Sequence, residues 1–163
     1  MPIYNDPDLI WRTLFLVLFT GVVSIIAFND VRTKEIPNVM VAALIPLSIM
    51  SVWLYPEISG ISRLVGLFTA SAPMLIMTLI WPKVFGGGDI KLMAVVGLIL
   101  GWQLTLLAFI IASFLGICHT IIMLILRKTT LKDTMAFGPA LCIGTLTAFI
   151  AGDTIMRGLF SLL

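Results

Sequence analysis

Long apolar runs alternate with short polar breaks along this chain. The runs cover roughly residues 9–28, 38–55, 61–82, 90–101, 103–126 and 135–151. The breaks fall at Asp30 to Asn38, Tyr55 to Gly60, Pro82 to Asp89, Gly101-Trp102-Gln103, and Arg127 to Thr134. A helix needs about 20 residues to cross a hydrocarbon core of about 30 Å. The pattern predicts an all-α, polytopic membrane helix bundle with about six transmembrane segments. The fourth run is too short to span at about 1.5 Å per residue. It either stops part-way or continues through a distorted turn at Gly101, where protein or a water cavity must shield the irregular backbone. There is no internal repeat and no low-complexity stretch, so residues 1–163 read as a single integral membrane domain.

Composition sharpens this reading. The chain is 60% apolar and 11% charged, with a mean hydropathy of +1.16. Soluble domains run near 45–50% apolar and about 25% charged. A soluble enzyme, a nucleic-acid-binding module and a disordered tail are thereby excluded. The net charge of +2 is too small to argue for an anionic partner. The placement of the charges says more. If the N-terminus is outside, Arg32, Lys34, Lys83, Lys91, Arg127, Lys128 and Lys132 share one side, and Arg12, Arg63 and Arg157 the other. The positive-inside rule puts the first group in the cytoplasm and both termini outside. The N-terminus is acidic and no small-residue cleavage site follows, so the first run reads as a retained helix. Trp11, Trp53, Trp81 and Trp102 fall near segment ends, as interfacial anchors do. Ser62, Gly66 and Ala70, Gly97 and Gly101, and Ala140, Gly144 and Ala148 form rows that allow close helix packing. Cys118 and Cys142 lie in apolar stretches without a CxxC pair, so they read as small buried residues and no metal site is expected.

Two carboxylates stand out against this background, because charge near bilayer depth is costly and by default marks function. Asp30 ends the first run in Phe28-Asn29-Asp30-Val31-Arg32, and Asp89 opens the fourth in Gly86-Gly87-Gly88-Asp89-Ile90-Lys91. The charge-derived topology sets both at cytoplasmic helix ends at similar depth. Two adjacent carboxylates share a proton near neutral pH. One then activates a water as general base while the other donates a proton to a scissile carbonyl. Such chemistry uses no metal and no covalent intermediate. Gly86 to Gly88 allow positive φ and leave the carboxylate bare for a close-lying substrate backbone. The plainer alternative is a flexible loop with Asp89 as a favoured N-terminal helix charge, and Asp30 as a solvated helix end beside Arg32 or Lys34.

Taken together, Asp30-x-Arg32-x-x-x-Ile36-Pro37-Asn38 and Gly86-x-Gly88-Asp89-x-Lys91-Leu92 resemble the type IV prepilin peptidase family of GxGD aspartic membrane peptidases. Phe137-Gly138-Pro139 resembles a third family piece, with Ala136 where a proline is usual. The resemblance runs from about residue 9 to 150. It implies catalytic roles for Asp30 and Asp89, and supporting or substrate-binding roles for Gly86, Gly88, Lys91, Arg32, Pro37, Asn38, Phe137, Gly138 and Pro139. It implies cleavage, at the cytoplasmic face of a bacterial or archaeal membrane, of the short basic leader of a prepilin or pseudopilin. That leader typically ends in glycine, and an apolar helix follows the cut. Association with pilus assembly machinery is a further expectation. The larger, methyltransferring members carry a cytoplasmic insert with paired cysteines. This chain has neither, so it resembles the short, peptidase-only branch serving Flp-type tight-adherence pili, and no cofactor is expected.

The neighbouring residues have milder readings. Lys91 and Arg32 divide between interfacial anchoring and a role at the site. Pro37 and Asn38 start the second helix, with proline fixing the entry. His119 is expected to bond a neighbouring helix, Glu35 to partner Lys34 or Arg32, and Asp133 and Asp153 to be loop carboxylates. Four alternatives remain. The archaeal preflagellin peptidases form another compact branch. Pro139-Ala140-Leu141 echoes the presenilin class, although Asn29 precedes Asp30 where that class has tyrosine. A proton-conducting bundle uses intramembrane carboxylates too, but nearer the midplane and with repeats. A scaffold subunit would hold Asp30 and Asp89 in salt bridges.

Overall fold

The structure, a computed structural model, describes residues 7–81, 84–126 and 137–160, without the side chains of residues 7, 8, 153, 159 and 160. Lys83, Arg127, Lys128, Lys132, Asp133, Ala136 and the side chain of Asp153 lie outside the described residues. All regular structure within them is helical: α1 (Pro7–Thr33), α2 (Asn38–Ala42), α3 (Leu44–Leu54), α4 (Gly60–Ile80), α5 (Gly87–Ile125) and α6 (Gly138–Phe160). Among the described residues, α1, α4 and α5 are long and apolar enough to cross a membrane, and the apolar stretches Asn38–Leu54 and Gly138–Gly152 run beside them. The chain is an all-α membrane bundle.

The helix ends differ from the apolar runs in places. The second run is split at Ala43. Pro46 has no N–H to give the Ala42 carbonyl, which interrupts the ladder at that point. α6 continues to Phe160 and takes Asp153, expected in a loop, into the helix. A charge ends an apolar run without ending a helix.

The fourth and fifth runs form one helix, α5, broken at Gly101 with φ 75° and ψ 173°. A straight helix of this length would extend about 58 Å. The neighbours show instead that it folds back on itself. Before the break, Gly97 lies against Gly66, and Gly101 against Ser62 and Ile58. After it, Leu104 packs on Gly152, Ala108 and Ala112 on Gly144, and Gly116 on Phe137. Gly116 has therefore returned to the end of the bundle where α5 began. Glycine is required at the turn for its φ, which side chains rarely adopt, and because a Cβ would stand 2.6 Å from the Ser62 hydroxyl. Among the described residues, the short fourth apolar run is thus the first arm of this hairpin.

The hairpin strands backbone carbonyls inside the protein, and Arg63 satisfies them. Its guanidinium donates to the Leu98 and Ile99 carbonyls at 2.8 and 3.2 Å, to the Ser51 and Tyr55 carbonyls at 3.0 and 2.9 Å, and to the Ser51 hydroxyl at 2.7 Å. Arg63 sits at the same end as Arg12, as charge counting has it, but it is 5% exposed rather than facing water. At this end Phe15, Phe19, Tyr55 and Phe149 form one aromatic cluster tying α1 and α6 to the end of α3. Arg12 lies over the Tyr55 ring and reaches Glu57 at 4.0 Å. Gly66 and Gly97 touch so closely that a Cβ on either would overlap the other's backbone, the close approach expected of small-residue rows. All four tryptophans are exposed, as is His119, which faces outward rather than a neighbouring helix.

Candidate active site

Both aspartates lie at the opposite end of the bundle from Arg63. They line one cavity of about 500 Å³ together with Lys34, Glu35, Ile36, Phe85, the Gly86–Gly88 strip and Phe137. Asp30 is in the last turn of α1 and 3% exposed, and Asp89 is in the first turn of α5 and 7% exposed. Buried carboxylates need hydrogen-bond donors. Each finds one in the same way. Asp30 Oδ2 accepts the Gly138 N–H at 2.9 Å, at the start of α6. Asp89 Oδ2 accepts the Gly86 N–H at 3.1 Å, at the start of α5. The first amides of a helix have no partner within it and carry partial positive charge. Asp89 Oδ1 is buried with no hydrogen-bond partner among the described residues.

The glycines have steric rather than torsional reasons. Among the described glycines only Gly101 has positive φ, so Gly86 to Gly88 do not use the freedom expected of them. A Cβ at Gly88 would stand 2.7 Å from both the Cβ and the carbonyl oxygen of Ile36, and one at Gly86 would stand 3.2 Å from Asp89 Oδ2. Gly87 has open space. The bare face of Gly88 thus receives the Lys34–Pro37 connection, which carries the chain from Asp30 across the start of α5. A Cβ at Gly138 would stand 2.5 Å from Asp30 Oδ2, so the third motif places an amide where only glycine admits the carboxylate.

The supporting residues divide. Gly86, Gly88 and Phe137 line the cavity, and Gly138 holds Asp30. Lys91 Nζ donates to Asn38 Oδ1 at 2.8 Å, joining α5 to the start of α2 outside the cavity. Pro37 is the extended residue before α2. Pro139 is in the first turn of α6, where a missing N–H is harmless. Arg32 is not brought to the cavity; its guanidinium lies 4.3 Å over the Phe28 ring on the exposed face of α1. Sequence reasoning did not single out Phe85 or Gly116, and it quoted Ile36 within the first motif without giving it a role. Phe85 and Phe137 pack with centroids 5.2 Å apart, and Gly116 leaves room for the Phe137 ring. Lys34 has a left-handed φ of 56°, and its N–H bonds the Asp30 carbonyl at 2.8 Å to close α1. No sequence signal marks these, since each depends on a neighbour distant in the chain or on local backbone geometry.

The model of the type IV leader peptidase family matches residues 17–121, which include both aspartates. The prepilin leader peptidase/N-methyltransferase of Bacillus subtilis (strain 168) is 26% identical over 140 residues, covering 86% of this chain and 56% of that protein. The protein of the same name from Aeromonas hydrophila is 27% identical over 154 residues, covering 90% and 52%. That from Pseudomonas aeruginosa is 39% identical over 72 residues, covering 44% and 25%. The chain spans about half the length of the first two. No solved structure matches. With most of its length matched by the family model, the chain belongs to the type IV leader peptidase family.

Proposed function

We propose that this chain is an aspartic endopeptidase that removes the short basic leader of a type IV or Flp-type prepilin or pseudopilin. The observation that carries the reading is the shared cavity of Asp30 and Asp89, each held through one oxygen by a helix N-terminal amide. The pair holds one proton. The ionised carboxylate takes a proton from a water as its oxygen attacks the scissile carbonyl carbon. The protonated carboxylate gives its proton to the carbonyl oxygen. When the tetrahedral intermediate collapses, the amine leaves with the first proton, and a hydroxyl of the intermediate returns one to the second carboxylate. Both aspartates end as they began, as required of a catalyst.

The proposed site faces the cytoplasm. Arg32, Lys34 and Lys91 are at this end, and the sequence between Leu126 and Phe137, both also at this end, adds Arg127, Lys128 and Lys132. That bias is the positive-inside signature. The carboxylates Asp30, Glu35 and Asp89 in the cavity lining suit a basic leader. The proposal covers the cleavage half of the relatives' paired name and involves no methyl donor.

The test is co-expression with a prepilin carrying a basic leader, read by gel shift. Wild type is expected to shorten the prepilin at the leader's end, while Asp30→Asn and Asp89→Asn accumulate at normal levels and leave it uncut. An active Asp89→Asn variant would refute the dyad.

A further inference from the structure

A second cavity of about 460 Å³ opens beside the first, between α4 and the returning arm of α5. Met77, Phe109, Gly116 and Ile117 line it, and it shares Phe85 and Phe137 with the aspartate cavity. The two spaces meet at that aromatic pair, yet their linings differ. One holds three carboxylates and a glycine strip; the other is almost wholly apolar. Ile117 is 60% exposed at its rim, so the groove opens outward along the bundle's side. The junction is also mechanically close to the chemistry. Gly116 seats the Phe137 ring, and the next residue, Gly138, donates its amide to Asp30.

We infer that this groove holds the apolar helix on the C-terminal side of the substrate's cut, with the scissile bond at the Phe85–Phe137 junction. The inference rests on the peptidase reading above and extends it to where the uncleaved part of the substrate lies. Two features select this occupant over a second copy of the chain or a lipid tail. The groove is continuous with the aspartate cavity, so a chain crossing the junction passes from carboxylates suited to a basic leader into an apolar trough. The lining also carries Ser113, a small residue beside Phe109 and Ile117, and small residues are what let helices approach closely in lipid. A leader peptide alone would fill only the first space. The intact prepilin fills both and gains binding energy from the second.

The test uses the full chain in phosphatidylethanolamine/phosphatidylglycerol nanodiscs, with a full-length prepilin as probe. A benzophenone amino acid replaces Ile117 in the Asp89→Asn protein, and Phe68 in a control. Phe68 is 63% exposed and about half a helical circumference from Met77 on α4. Irradiation is expected to give an adduct from position 117 to the prepilin's apolar segment and none from position 68. Adducts from 117 only to lipid or to a second copy of the chain, or equal adducts from both positions, would overturn the inference. A second measurement is Ser113→Phe, which narrows the trough. It is expected to raise KM for the intact prepilin about tenfold or more with kcat within about twofold, the pattern of lost uniform binding. An unchanged KM would overturn the inference as well. Cleavage of the same prepilin by the wild type separates the two readings. If wild type cuts and position 117 gives no prepilin adduct, the groove assignment alone fails; if wild type does not cut, the peptidase reading fails first.

Discussion

Gly88→Ala offers a sharp perturbation of the site because the obstacle is backbone. The added Cβ would stand 2.7 Å from the Ile36 carbonyl oxygen, 2.7 Å from its Cβ and 3.2 Å from its Cα. Unstrained carbon contacts lie near 3.5–4.0 Å, so the two segments must part by about 0.8 Å. Overpacking of this kind costs about 1–3 kcal/mol of stability. The larger effect falls on catalysis, because Asp89 is the next residue and a misplacement of about 1 Å can cost about 10²-fold in rate. Truncating Ile36 brings no relief, since every close atom remains in alanine. Gly87→Ala is the matched control, with nothing within 4 Å of its Cβ. The assay is prepilin cleavage by purified protein in nanodiscs, with thermal unfolding measured in parallel. Gly88→Ala is expected to lose about 10²-fold in rate while remaining folded, Gly88→Ala/Ile36→Ala to be no better, and Gly87→Ala to stay near wild type. Equal rates for Gly88→Ala and Gly87→Ala would refute the steric reading of the motif.

Two other substitutions test the far end of the bundle. Arg63→Met removes the donors to five carbonyls, those of Ser51, Tyr55, Ile58, Leu98 and Ile99, and to the Ser51 hydroxyl; at about 1–3 kcal/mol per orphaned group, it is expected to lower the melting temperature steeply, and an unchanged melting temperature would show that the network is dispensable. Gly101→Ala combines an unfavourable φ with a Cβ 2.6 Å from Ser62 Oγ and is expected to cost about 1–3 kcal/mol, read as a lower midpoint of unfolding in detergent.

The bundle and its chemistry were legible from sequence to different depths. Six apolar segments and the trouble at Gly101 followed from run length against bilayer thickness. Asp30 and Asp89 stood out because a carboxylate beside an apolar run has few structural excuses. Their three motifs coincide with the places where the structure puts amides and bare glycine faces against carboxylates. What stayed hidden depends on contacts between distant segments. Arg63 read as an external charge because its carbonyl partners come from α3 and the first arm of α5, some 36 residues away in the longest case. Phe85 and Gly116 are unremarkable in a chain this apolar, Ile36 entered only as part of a motif, and the fold alone brings the three towards the aspartates. The split at Ala43 and the extension of α6 past Asp153 show that apolar runs report burial in lipid rather than helix ends.

The central claim is that Asp30 and Asp89 act as one catalytic unit. Its most direct test is the cleavage rate of purified Asp30→Asn, Asp89→Asn and the double variant on one prepilin, with folding checked for each. Asparagine keeps an oxygen to accept the Gly138 or Gly86 amide, so the fold should survive. Residues that act as a unit are strongly non-additive. Each single variant is expected to lose at least about 10³-fold, and the double to be no slower than the worse single variant. An active single variant, or losses that multiply in the double, would contradict the account.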